Sequence, residues 1–140
     1  MTPAEFIAKW SKVALTERAA AQQHFLDLCA LLGHETPAQA DPKGEHFCFE
    51  KGASKQDGGE GWADVWKKGF FGWEYKGKKK DLDAAYKQLL QYREALENPP
   101  LLVVCDLDRI VVRTNFTGSR TQVHEIALAR LAEPHSGVVQ

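Results

Sequence analysis

The stretch GWADVWKKGFFGWEYKGKKKDL, residues 61–82, decides the fold of this chain. Nine residues separate Asp64 from Glu74, and one residue separates Glu74 from Lys76. Residues i and i+2 of a strand share a face, so Glu74 and Lys76 project to the same side. Pairing of the two flanking strands as a hairpin about Phe70 puts Asp64 opposite Lys76 and diagonal to Glu74. The sequence therefore predicts that two carboxylates and an ammonium group converge on one patch of a sheet.

This combination of charges indicates a metal-dependent nuclease. Carboxylate oxygens are hard ligands that suit Mg²⁺, and a divalent cation that activates water for attack on a phosphodiester needs such groups. The aromatic and Gly-rich run around Glu74 and Lys76 is typical of a strand, and charges in such surroundings are usually paired or bind metal. A cross-strand ion pair of Lys76 with Glu74 or Asp64 is the alternative interpretation.

Length and composition place the chain among ordinary globular proteins. Its 140 residues suffice for one domain with a hydrophobic core. No apolar run approaches the length of a membrane span, and no signal peptide opens the chain. The three cysteines, Cys29, Cys48 and Cys105, lie far apart in apolar surroundings. They are interpreted as buried free thiols, which indicates a reducing, cytoplasmic location.

The distribution of charge is more informative than its sum. The net charge is −1, which does not indicate nucleic-acid binding. The segment from Asp64 to Arg93, however, contains eight basic residues and only four acidic ones. Lys78, Lys79 and Lys80 directly follow the strand of Glu74, where the phosphate backbone of DNA would pass. An exposed turn before a helix is the alternative interpretation of these three lysines.

Periodicity along the remaining chain predicts helices around a sheet. A Thr-Pro-x-Glu start predicts a helix from Thr2, and a second helix runs from Thr16 to Gly33. Further helices are predicted over 81–98 and 122–132, and strands over 46–51, 62–67, 72–78, 101–105 and 109–114. This order predicts an α/β domain whose mixed β-sheet has a central antiparallel hairpin flanked by helices.

Four stretches together resemble a known group of nucleases: ERAAAQQHFLDLCALLG (17–33), HFCFEKG (46–52), residues 61–96, and NPPLLVVCDLDRIVVRTNF (98–116). With Asp-x9-Glu-x-Lys on the central hairpin, they resemble the PD-(D/E)xK nuclease superfamily. The chain is more similar still to the N-terminal endonuclease domain of the MmeI-like fused restriction–modification enzymes. The resemblance implies a restriction-endonuclease-like domain over 1–120, with 121–140 as the start of a helical spacer or a C-terminal tail.

The resemblance also implies roles for the central residues. Asp64 and Glu74 would be metal ligands, and the backbone carbonyl of Tyr75 would complete the metal shell. Lys76 would position the attacking water. Mg²⁺ is the implied metal, with Mn²⁺ as a substitute. Ala63 stands where the superfamily usually has a proline before the first aspartate, a position that varies.

Three further residues are accessory candidates by the same resemblance. Glu17 matches an acidic residue that some members place near the metal; a first-turn acid favoured by the helix dipole is the alternative. Gln88 and Tyr92 have the Gln-x-x-x-Tyr spacing of RecB-like nucleases and share a helix face. The alternative is that Tyr92 is a core residue and Gln88 a surface residue.

The implied partners are double-stranded DNA and the methyltransferase and target-recognition domains downstream in the same polypeptide, which acts in phage defence. An isolated module would then be a weak or inactive endonuclease. Asn98-Pro99-Pro100-Leu101 resembles an amino-methyltransferase motif but lacks its aromatic residue, so we expect no S-adenosylmethionine on this chain. The alternatives are a stand-alone repair or recombination nuclease and a non-catalytic DNA-binding or interaction module.

Overall fold

A computed structural model describes residues 1–13, 18–52, 62–77 and 81–131. The helices are α1 (Pro3–Trp10), α2 (Arg18–Leu32), the single-turn α3 (Pro37–Ala40) and α4 (Leu82–Gln91). The strands are β1 (Phe47–Lys51), β2 (Ala63–Lys67), β3 (Phe71–Tyr75), β4 (Leu101–Cys105), β5 (Arg109–Thr114) and β6 (Val123–Ala127), and a 3₁₀ turn follows at Leu128–Arg130. None of the described helices is long and apolar enough to span a membrane.

The six strands form one sheet in the order β1-β2-β3-β4-β5-β6. Neighbouring strands are antiparallel except β3 and β4, which are parallel. A parallel pair needs a crossover connection, and α4 lies in the segment that connects these two strands. The predicted mixed sheet with a central antiparallel hairpin flanked by helices is therefore confirmed.

Hydrophobic clusters cover both faces of the sheet. On one face, α1 and α2 contribute Phe6, Trp10, Phe25 and Leu28 to a cluster that includes Trp73 and Tyr75 of β3. On the other face, α4 contributes Leu82, Ala85 and Leu89 to a cluster that includes Trp66, Leu102 and Val104. Because side chains alternate along a strand, β3 exposes a different set of residues to each helix layer.

Local signals at the start of α1 and at the end of α2 behave as expected. Thr2 and Glu5 form a capping box at the start of α1. Gly33 adopts φ +68° directly after α2, which suits a residue without a Cβ at a helix end. The predicted cap Thr16 lies outside the described residues. In the loop before β1, a second capping box at Thr36 starts α3, a short helix that the sequence did not predict.

The β2–β3 turn differs by one residue from the prediction. Lys67 pairs with Phe71, so the hairpin is centred on Gly69 rather than Phe70. Gly69 adopts φ +79°, a value that a three-residue turn requires and that glycine adopts without steric cost. Continuing the register of Val65 with Trp73 puts Asp64 opposite Glu74, not diagonal to it. Moving the turn centre by one residue moves the partner of Asp64 by two residues, from Lys76 to Glu74. Because this shift is even, Asp64 keeps its predicted face.

The prediction of a helix over 122–132 is wrong, because residues 123–127 form strand β6. This strand pairs antiparallel with β5, from Arg113 with Val123 to Arg109 with Ala127. Val123, Ile126 and Ala127 suit one helix face equally well in spacing, so hydrogen bonding to β5 decides the outcome. The sheet thus extends past residue 120, and a separate unit beginning near that point stays a prediction.

Helix α4 ends seven residues earlier than predicted, at Gln91 instead of Asn98. Glu97 and Asn98 adopt φ values of +63° and +52°, which end any regular helix. The chain turns inward so that Leu96 is fully buried. The carbonyl of Leu96 accepts a hydrogen bond of 2.8 Å from the indole of Trp66.

Candidate metal centre

Asp64 lies where strands β2 and β3 stop pairing. The last paired residues toward this end are Val65 and Trp73. Beyond them, the backbone N–H of Tyr75 donates a hydrogen bond of 2.7 Å to Asp64 Oδ2. The Asp64 carboxylate thus accepts a backbone hydrogen bond just past the last paired residues of β2 and β3. This bond holds Asp64 against Tyr75, the residue between Glu74 and Lys76.

Glu74 is buried on the same face of the sheet. Its neighbours Trp73 and Tyr75 belong to the cluster under α1 and α2, so Glu74 projects toward the α4 side. There it is in register with Val104, a member of the cluster under α4. Only 7% of Glu74 is exposed. A buried carboxylate is costly unless a hydrogen bond, an opposite charge or a metal compensates it.

Lys76 follows the last residue of β3 and is fixed through its backbone. Its N–H donates a hydrogen bond of 2.9 Å to the carbonyl of Cys105, which continues the parallel pairing with β4. The side chain is half-buried. Among the described residues, Lys76 forms no ion pair with Asp64 or Glu74. This observation does not support the alternative interpretation, in which Lys76 forms a structural ion pair with Glu74 or Asp64.

The donor set at this end of the hairpin suits a hard cation. Asp64 and Glu74 could supply carboxylate oxygens from adjacent strands, and the intervening Tyr75 could supply a backbone carbonyl. Mg²⁺ is commonly bound through one or two carboxylates, with water and phosphate oxygens completing six-fold coordination. No group of three or more His, Cys, Asp or Glu side chains in the described residues could hold a metal. The groups at this end of the hairpin that could contribute to a metal site are thus the two carboxylates and the Tyr75 carbonyl, and Mg²⁺ as their ligand stays a prediction.

Glu50 of β1 lies beside this end of β2, and the sequence did not single it out. The pairs Phe49–Val65 and Lys51–Ala63 place Glu50 across from Asp64. Glu50 is half-buried and adopts φ +55°, which is uncommon for a residue with a side chain. No sequence signal marked it, because a Glu near the end of a short strand is unremarkable.

The side chain of Tyr75 also has a role that the sequence did not indicate. Sequence reasoning considered only its backbone carbonyl, yet its hydroxyl lies 2.8 Å from Nδ1 of His24 on α2. Burial, and then the nearby Cys105 and Asp64, raises the pKa of the Tyr75 hydroxyl well above its usual value. Burial lowers the pKa of His24 to about 4. Both groups are therefore neutral near pH 7.

The remaining candidates fall into two groups. Glu17 and the three lysines Lys78, Lys79 and Lys80 lie outside the described residues. Gln88 is half-buried on the second half of α4, and Tyr92 is the C-cap of that helix, packed against the cluster under α4. The accessory roles of these residues stay predictions.

A second charged region lies between α4 and strands β5 and β6, away from the three central residues. Arg113 Nη2 donates a 2.8 Å hydrogen bond to Asp83, and Arg109 Nη1 donates one of the same length to Glu125. The Arg113 guanidinium also stacks 4.2 Å from the ring centroid of Tyr86. The Arg113 contacts tie α4 to the sheet, and the Arg109–Glu125 contact joins β5 to β6. In the part of the chain that the structure describes, Arg113 Nη1 is buried without a hydrogen-bond partner.

The mixed sheet, with carboxylates on adjacent antiparallel strands and helices on both faces, is compatible with the restriction-endonuclease-like class of α/β proteins. The chain belongs to the family described as MmeI, N-terminal domain, whose model matches residues 1–137. The family predicted from the sequence is thereby confirmed. No curated protein and no solved structure matches the chain. Family membership supports a module of a restriction–modification enzyme.

Proposed function

We propose that this chain is the metal-dependent DNA endonuclease module of a restriction–modification enzyme. The observation that supports this most is the position of Asp64 and Glu74 on one face of adjacent strands. The Tyr75 amide ties Asp64 to the strand of Glu74 at the same point.

Asp64 and Glu74 would hold Mg²⁺, together with the backbone carbonyl of Tyr75. When bound, the metal supplies Lewis-acid stabilisation of the phosphate and lowers the pKa of a water ligand. Asp64 keeps Oδ1 for this purpose, since Oδ2 accepts from the Tyr75 amide. That hydrogen bond fixes the orientation of the carboxylate before any ligand arrives.

Lys76 would place its ammonium beside the attacking water and the scissile phosphate. Its backbone is held against Cys105 of β4, so the side chain extends from a fixed point beside Glu74. A positive charge there stabilises the negative charge that develops on the phosphate oxygens in the transition state.

Double-stranded DNA is the proposed substrate. Lys78, Lys79 and Lys80 would contact its phosphate backbone, which gives affinity without sequence specificity. The methyltransferase and target-recognition domains proposed downstream in the same polypeptide would supply base contacts. By itself, this chain should therefore nick DNA slowly and without preference for a sequence. Efficient cleavage at one defined sequence by residues 1–140 alone would point to a self-sufficient enzyme instead.

Plasmid nicking at high protein concentration with Mn²⁺ tests the proposal. Parent protein should convert supercoiled to open-circular DNA slowly, and Asp64→Asn should lose this activity at least 100-fold because the ligand charge is gone. Glu94→Gln is the matched control, since it also neutralises one carboxylate but at an exposed position after α4. Equal nicking by parent and Asp64→Asn would contradict the proposal, because the activity would then not depend on the Asp64 carboxylate.

A further inference from the structure

One buried polar contact connects helix α2 to the strand of the candidate metal centre. His24 Nδ1 and the Tyr75 hydroxyl lie 2.8 Å apart. His24 is 1% exposed and Tyr75 is 6% exposed, so water does not compete for this hydrogen bond. A buried polar atom that loses its hydrogen-bond partner is left desolvated and unpaired, so breaking this contact is costly in free energy.

The position of His24 is tightly defined by its surroundings. Its ring contacts the edges or faces of three aromatic rings, with centroid distances of 5.2 Å to Phe6, 5.0 Å to Trp10 and 5.4 Å to Tyr75. One turn further along α2, Asp27 accepts hydrogen bonds from Lys9 Nζ at 2.7 Å and from Trp10 Nε1 at 3.0 Å. These contacts lock α1 and α2 together, so His24 presents Nδ1 from a rigid helix pair.

Tyr75 connects the helix pair on one face of the sheet to Asp64 on the other. Its side chain lies under α1 and α2, while its backbone N–H donates to Asp64 Oδ2 at 2.7 Å. Its immediate neighbours along the chain are Glu74 and Lys76. A rotation of β3 at Tyr75 would therefore displace all three central side chains at once.

We propose that His24 is a positioning residue for the metal centre, acting through the Tyr75 hydroxyl to fix the Glu74–Lys76 segment and the Asp64 carboxylate. The inference deepens the proposed function and rests on it. His24 is 1% exposed, so it would act on the metal centre only through Tyr75. Partners that hold metal-binding groups in place typically change metal affinity 10- to 100-fold when they are removed.

Three variants of this chain separate positioning from general stability. His24→Phe keeps a buried aromatic ring but cannot bond the Tyr75 hydroxyl. His24→Asn restores a polar atom near the position of Nδ1. Leu128→Ala, in the same hydrophobic cluster but after β6, is the matched control for loss of core packing.

Two readouts are needed, and the first requires no metal. Amide hydrogen exchange followed by NMR should show the Tyr75 N–H exchanging at least 10-fold faster in His24→Phe than in Leu128→Ala, with His24→Asn in between. Calorimetric titration with Mn²⁺ should show an affinity about 10-fold weaker in His24→Phe than in Leu128→Ala, with partial recovery in His24→Asn.

Each outcome decides the inference. Equal Tyr75 exchange in His24→Phe and Leu128→Ala overturns the positioning of β3 by His24. Faster exchange with unchanged Mn²⁺ affinity overturns the link to the metal centre. If the parent chain itself binds no Mn²⁺, the proposed function fails and the positioning of a metal centre fails with it, while the exchange result still reports whether His24 holds β3.

Discussion

The two faces of strand β3 serve different purposes. On the side of α1 and α2, Trp73 and Tyr75 lie in a continuous set of aromatic contacts, with Phe25 5.3 Å from Trp73 between ring centroids. On the side of α4, Glu74 is a buried carboxylate and the half-buried Lys76 follows it. The aromatic face fixes the strand, and the charged face carries the residues proposed to bind metal and water.

This difference indicates how a five-residue strand could support the proposed metal site. Alternation with a period of two lets one face be optimised for packing without affecting the other. Strain and desolvation at functional groups persist only where the surrounding structure compensates for them. Disturbing the aromatic face should therefore cost stability, whereas disturbing the charged face should cost metal binding and leave the fold intact.

The largest expected effect on stability comes from Phe25 of α2. Its ring contacts the rings of Phe47, Phe71 and Trp73 at centroid distances of 6.1, 6.0 and 5.3 Å. Phe25→Ala should lower the free energy of unfolding by about 3–5 kcal/mol, from lost burial and the cavity left behind. Urea denaturation measures the change. The control is Phe70→Ala at the hairpin turn, where 56% of the residue is exposed and the cost should stay below about 1 kcal/mol.

A smaller effect should appear as a dependence of stability on pH. Burial lowers the pKa of His24 to about 4 from 6.5. The unfolded chain therefore binds a proton below pH 6.5 that the folded chain excludes. Stability should be full above pH 6.5 and fall by about 3 kcal/mol as the pH drops to 4. Thermal or urea unfolding at several pH values measures this.

Two substitutions assign that dependence to His24. The loss between pH 6.5 and 4 should shrink strongly in His24→Asn, which cannot titrate in this range. It should persist in His124→Asn, since His124 is exposed on β6. A similar slope in His24→Asn and parent would mean that other groups cause the acid sensitivity.

The smallest effect on stability should come from the charged face. In Asp64→Asn the side-chain carbonyl can still accept from the Tyr75 amide, so little is lost. In Glu74→Gln the side-chain carbonyl can still accept a hydrogen bond, and the desolvation cost of a buried charge is removed. Without metal, both variants should unfold within about 1 kcal/mol of the parent. Losses as large as that of Phe25→Ala would show that these residues serve the fold.

The residues that repeat a local pattern could be predicted from the sequence. The aromatic and Gly-rich run around Trp73 and Tyr75 predicted β3, and the continuous apolar run of residues 101–105 predicted an interior strand. The face shared by Glu74 and Lys76 follows from a spacing of two alone. The predicted turn centre was wrong by one residue. The predicted shared face of Asp64 and Glu74 was unaffected, because side-chain direction depends only on even or odd spacing.

The features that depend on distant contacts could not be predicted. Strand β6 exists because β5 offers a free edge, and a strand and a helix fit its sequence equally well. The contact between His24 and Tyr75 joins residues that are 51 positions apart, and no local pattern marks a histidine as the partner of a tyrosine. The early end of α4 depends on the pocket that Trp66 and Gly72 offer to Leu96.

Calorimetric titration of this chain with Mn²⁺ tests the central claim, that Asp64 and Glu74 hold a divalent cation, most directly. The parent should bind Mn²⁺, and Asp64→Asn should weaken binding at least 10-fold. Lys76→Ala should bind as tightly as the parent or slightly tighter, since a neighbouring positive charge is gone, although cleavage should collapse. Glu94→Gln should match the parent. Equal affinity in Asp64→Asn and parent, or no binding in any of them, would contradict the claim.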